Sequence, residues 1–156
     1  MNRLAPSCTS SITDIVGEDR IRTDHRECMM YSFDIGVMPP LVRPLLDAGE
    51  PDAVVRPEDE AALASLMRYA HRERIALVPR SMATSGYGGV LPQEHAVVVD
   101  LMGWNRILDI DSVAMTVTTQ GAAVWEQIDR EIAKQGLALR FYPSSYPASS
   151  VAGWLA

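Results

Sequence analysis

Residues 58–74, EDEAALASLMRYAHRER, stand between two short apolar runs, DAVVRP at 52–57 and IALVP at 75–79, and this order limits the folds open to the chain. The acidic first turn and basic last turn complement a helix dipole, and Ala62, Leu63, Leu66, Met67 and Ala70 recur at helical spacing as one apolar stripe. The flanking runs read as short strands, the second of them of the buried type found in parallel sheets. A third run, AVVVDL at 96–101, follows. Strand, helix and strand in that order form a βαβ unit, whose parallel strands gather ligands at their carboxyl ends. At that end lies VPRSMATSGYGG, residues 78–89, with three glycines, three serine or threonine residues and a single charge.

Further along, NRILDID (105–111) and AMTVTTQG (114–121) alternate as an antiparallel pair turning near Asp111 and Ser112. The stretch 123–136 predicts a second helix, with Val124, Ile128 and Ile132 spaced by four and Gly136 at C′. Upstream, TSSITDIVG (9–17) predicts a short helix capped by Thr9 or Ser10 and stopped by Gly17. From Asp24 to Glu50, prolines break any period and the chain reads as a long connector. The expected class is α+β: a small parallel βαβ subdomain, then the start of a second, mixed or antiparallel β subdomain with helices. Residues 1–50 read as lead-in helix and connector, and 51–156 as the domain proper.

Charge and motif spacing exclude several functions. A formal charge of −6, with 14 basic residues scattered among 20 acidic ones, does not make a nucleic-acid surface. No run approaches the roughly 18 apolar residues of a membrane span, and the amino terminus lacks a signal-peptide pattern, so a cytoplasmic location is expected. Cys8 and Cys28 are too few for a self-contained cluster or four-cysteine zinc site, and His25, His71 and His95 fall in no metal motif. No metal is expected.

The loop at 78–89 matches no standard phosphate motif. Gly86, Gly88 and Gly89 read GxGG and lead into strand-like sequence, whereas a dinucleotide fingerprint needs GxGxxG before a helix. No lysine follows a glycine as a P-loop requires, and Ala83 stands where a nucleophile elbow needs glycine. What the loop does offer is backbone donors and small hydroxyls, which bind anions without side-chain charge. A tight surface turn is the alternative. FYPSSYPASSVAGWLA, residues 141–156, repeats the chemistry with Pro143, Pro147, four serines, Ala152 and Gly153. Arg80 reads as support at the strand end, or else as a phosphate partner. Trp104 and Trp125 read as core residues, while Tyr87 is as readily a ring that stacks on a ligand as an ordinary loop residue.

Taken in order, PDAVVRPEDEAAL, IALVPRSMATSGYGG, AVVVDLMGWNRILDID, AMTVTTQGAAVWEQID and YPSSYPASSVAGWLA resemble the amino-terminal part of the FAD-binding domain of the vanillyl-alcohol oxidase / para-cresol methylhydroxylase superfamily. The chain is most similar to the glycolate oxidase subunit and D-lactate dehydrogenase type, and YSFD (31–34) resembles the lead-in of such enzymes. The resemblance implies a PCMH-type fold, truncated, with the carboxyl-terminal half and substrate domain lying beyond Ala156. It implies that Pro79, Arg80, Ser81, Met82, Ala83, Thr84, Ser85, Gly88 and Gly89 hold FAD. From the second loop it adds Pro143, Ser144, Ser145, Ser149, Ser150, Val151, Ala152 and Gly153. Ser81, Met82 and Ala83 stand where the family carries glycines, and Thr84 where covalent members carry histidine, so the implied FAD is non-covalent. The parent enzyme would oxidise a 2-hydroxy acid to a 2-oxo acid and pass electrons on, an iron–sulfur domain or subunit being one acceptor. No catalytic residue is implied within this segment. The alternatives are a remnant that folds without flavin, or the FAD domain of another flavoenzyme such as a molybdenum hydroxylase or a peptidoglycan-precursor reductase.

Overall fold

A computed structural model describes residues 4–36, 39, 41–42, 45, 49–93 and 95–156. The chain divides into two compact units, one formed by Met1–Arg80 with Ser85–Asp100, the other by Ser81–Thr84 with Leu101–Ala156.

That unit is a four-stranded sheet with helices. Its elements are α1 (Pro6–Val16), β1 (Ile21–Arg22), α2 (His25–Met30), β2 (Ala53–Val55), α3 (Glu60–Glu73), β3 (Leu77–Arg80) and β4 (Val97–Asp100). Strand order is β1-β2-β4-β3, with β2, β4 and β3 parallel and β1 antiparallel to β2. Every residue of β2 and β4 is buried, as strands covered on both faces must be. Pro79 lies in β3, an edge strand, where its missing N–H is tolerated. Cys28, Val54 and Val98 pack together with Tyr31 and Val78, and burial pushes the Cys28 thiol up to about 11.

Three expectations need correction here. The first helix begins at Pro6, whose fixed φ suits the first helical position, so neither Thr9 nor Ser10 caps it; Gly17 does end it, at φ +95°. The presumed connector holds α2, capped by Asp24 through the Glu27 N–H, and β1 lies just before it. On α3, Asp59 caps the helix through the Ala62 N–H at 2.8 Å, and the buried stripe runs through Leu66, Tyr69 and Ala70, leaving Met67 exposed.

The second unit holds the hairpin β5 (Ile107–Asp111) and β6 (Thr116–Thr119), then α4 (Trp125–Ala133) and α5 (Val151–Leu155). Asp111 Oδ1 accepts from the Val113 and Ala114 N–H groups at 2.9 and 2.8 Å, fixing the expected turn. A register shift between Ile107 and Asp109 lets both Ile107 and Ile110 reach the core around Ala123, Ile128 and Ile132, against simple alternation. Gly136, at φ +71°, closes α4 as expected: its N–H donates to the Ala133 carbonyl, and that of Leu137 to Ile132.

Candidate functional site

The second unit brings the centre of the first small-residue loop into one compact body with all of the second loop. Ser81, Met82, Ala83 and Thr84 are each partly buried, and Ala83 sits at φ +51°, the left-handed region that glycine favours. In the second loop Pro143, Ser149 and Ser150 are buried, Ser145 and Val151 are half-buried, and Ser144, Ala152 and Gly153 are exposed.

The second loop is seated by its own backbone. The Trp125 N–H donates to the Ser149 carbonyl at 3.1 Å, Val151 to Ala123 at 2.9 Å and Ala152 to Gly121 at 2.9 Å. The Ala148 and Ser149 amides turn back to the Ser145 carbonyl at 3.0 and 3.2 Å. Tyr142 and Tyr146 both donate their phenols to Asp129 of α4, at 3.1 and 3.2 Å, and their rings meet edge to face at 5.0 Å. The amides of Ala148, Ser149, Val151 and Ala152 are thus engaged inside the fold, so this turn offers side-chain hydroxyls more than the main-chain nest its composition implied.

Two of those hydroxyls test whether FAD fits. Ser81 Oγ and Ser149 Oγ, one from each loop, are buried without a hydrogen-bond partner, as is Trp125 Nε1. Buried polar groups of this kind call for a partner, and neutral donors in two segments, 81–84 and 143–153, that contain no lysine or arginine suit a diphosphate or ribose oxygen. The residues fit the cofactor. Among the described residues no group of three or more histidine, cysteine, aspartate or glutamate side chains could hold a metal ion.

The rest of the first loop belongs to the first unit. Arg80 lays its guanidinium over the Tyr31 ring at 5.2 Å and donates from Nη1 to the Tyr31 carbonyl at 3.3 Å, while burial lowers its pKa. Its side chain acts as support. The Ser85 hydroxyl accepts from the Tyr87 N–H at 3.3 Å, and the Gly88 N–H donates to Asp34 Oδ2 at 2.9 Å. Tyr87 is 98% exposed. Behind Tyr31, its phenol donates to Asp100 at 2.6 Å, Arg56 Nε reaches the same oxygen at 3.0 Å, and Arg56 pairs with Glu27. Sequence reasoning singled out YSFD only as a resemblance and missed Glu27, Arg56 and Asp100, which lie in separate elements with no shared spacing.

Residues 51–156 match the family described as "FAD binding domain". The chain belongs to this family. Curated relatives of the FAD-binding domain include the alkyldihydroxyacetonephosphate synthase of Dictyostelium discoideum, 27% identical over 68% of this chain and 18% of the relative. The glycolate oxidase subunit GlcD of Escherichia coli K12 is 30% identical over 89% of the chain and 26% of its own length. The domain thus spans about a fifth to a quarter of these proteins. Among solved structures, an alkyldihydroxyacetonephosphate synthase superposes with a TM-score of 0.81 at 22% identity, covering 99% of this chain and 32% of the other. Substrate-bound p-cresol methylhydroxylase gives 0.73 at 18% identity, covering 89% and 26%. At such identities the likeness establishes the fold: PCMH-type, mixed α and β. The domain's cofactor is FAD, and none of its described helices is long and apolar enough to cross a membrane.

Proposed function

We propose that Ser81–Thr84 and the 143–153 turn hold FAD non-covalently for a flavin oxidoreductase acting on a 2-hydroxy acid. The observation that carries the cofactor site is the pair of buried, unpartnered hydroxyls, Ser81 Oγ and Ser149 Oγ, in one compact unit. Bound flavin would accept the hydride as the substrate becomes a 2-oxo acid. This chain's own residues bind and orient the cofactor, and none of them is assigned a part in handling the substrate. The 2-hydroxy acid is supported by relatives called glycolate oxidase, D-lactate dehydrogenase and D-2-hydroxyglutarate dehydrogenase. An iron–sulfur domain or subunit is the proposed electron acceptor.

A second reading, service to a synthase, draws support from the synthase relatives and the extent of their structural match. Titration of the purified chain with FAD, followed by flavin fluorescence, tests the cofactor site, with saturable quenching expected. A chain that purifies colourless and leaves the fluorescence unchanged is the flavin-free remnant instead. The isolated chain should reduce no dye, and the whole protein should reduce one with D-lactate or glycolate; inertness toward both would favour the synthase.

A further inference from the structure

The chain enters the second unit after Arg80 and returns to the first at Ser85, so residues 81–84 hang between two flanks. Both flanks meet the same six-residue segment, 31–36. On the entering side, Tyr31 receives the Arg80 guanidinium on its ring and its carbonyl. On the returning side, Asp34 Oδ2 accepts from the Gly88 N–H at 2.9 Å while its Oδ1 accepts from the Gly36 N–H at 2.7 Å. Gly36 packs so closely that a Cβ placed on it would stand 2.5 Å from the Gly86 carbonyl oxygen. Tyr31 is itself fixed, its phenol held by Asp100 at 2.6 Å and by Arg56 at 3.0 Å.

Three of the four residues at 81–84 are small, and a left-handed alanine adds strain that the surroundings must oppose. A binding loop of this kind gains affinity when its ends are fixed beforehand, since less ordering remains to be done at binding. We infer that residues 31–36 are a strap that holds the cofactor loop in its binding shape, with Asp34 as the positioning residue for its returning arm and Gly36 as the point of close approach. The carboxylate can sit beside an anion-binding loop because each of its oxygens accepts an N–H.

The consequence for affinity rests on the FAD reading, whereas the strap itself does not, and the test separates them. The 156-residue chain and its Asp34→Ala, Asp34→Asn and Gly36→Ala variants are titrated with FAD, and their backbone amide exchange is followed without ligand. Asp34→Ala is expected to weaken FAD binding by about tenfold, and Asp34→Asn, which keeps one acceptor oxygen, by less. Exchange should quicken at Gly88 and across 81–84 while the β2 and β4 amides keep their protection. A general loss of fold would expose those strands as well, and Gly36→Ala then carries the comparison. Unchanged exchange across 81–84 in both Asp34→Ala and Gly36→Ala would overturn the strap. Wild-type protein that takes up no FAD would sink the proposed function, yet the exchange data would still decide the strap.

Discussion

At residue 83 the chain accepts a conformation that its side chain resists. An L-residue in the left-handed region carries about 1–2 kcal/mol of strain, and the same principle makes β-branched side chains worse there. Glycine removes the strain but adds freedom to the unfolded chain, about 0.5–1 kcal/mol, so the two effects oppose each other. Ala83→Gly should therefore raise the melting temperature slightly, by about 1–2 °C, and Ala83→Val should lower it by more; calorimetry of the two variants checks the order. Whether a small residue belonged at position 83 was legible, because the resemblance aligned it with a glycine. That its φ is +51° was not, since alanine gives no sign of it. Ser81 and Ser149 were legible as candidates, but their burial without partners depends on neighbours far along the chain.

Among the elements, α3, β3, β4, the hairpin and α4 were readable because each carries a local signal: a cap, a period or a turn residue. The 24–50 stretch was not, because α2 is short and its stability comes from Cys28 packing on Val54 and Val98. The Arg56 network hides for the same reason, as its members come from α2, β4 and the segment after β2. Arg56→Ala would leave the buried Asp100 carboxylate without its guanidinium. Arg56 is about one-third exposed, so the cost falls below that of a fully buried pair, at about 2 kcal/mol, read as a lower urea midpoint with an unchanged slope. In the second unit, the Asp129 hydrogen bond raises the Tyr142 pKa, and burial followed by Asp129 raises that of Tyr146. Asp129→Asn should bring both phenols down toward their ordinary range, seen as an earlier rise of phenolate absorbance in alkaline titration. Proteolysis within 141–150 should quicken in the same variant. An earlier titration without faster cleavage would mean that the two tyrosines do not seat the loop.

For the molecule as a whole, net charge decides how FAD binding should respond to salt. The protein carries −6 and the ligand a diphosphate, so their long-range interaction is repulsive. Neither Ser81–Thr84 nor the 143–153 turn contains a lysine or arginine to reverse that sign locally, and the neighbouring Arg80 is stacked on Tyr31. Neutral hydroxyl and amide donors act over hydrogen-bond distances and are hardly screened, whereas the repulsion fades as the Debye length falls from about 30 Å at 0.01 M to about 8 Å at 0.15 M. Raising ionic strength over that range should leave FAD affinity unchanged or tighten it slightly, by less than about threefold. A site built on cations would do the reverse and weaken. FAD titrations at the two salt concentrations distinguish these outcomes, and marked weakening with salt would mean that a basic side chain pairs with the diphosphate after all, with Arg80 the first to be substituted.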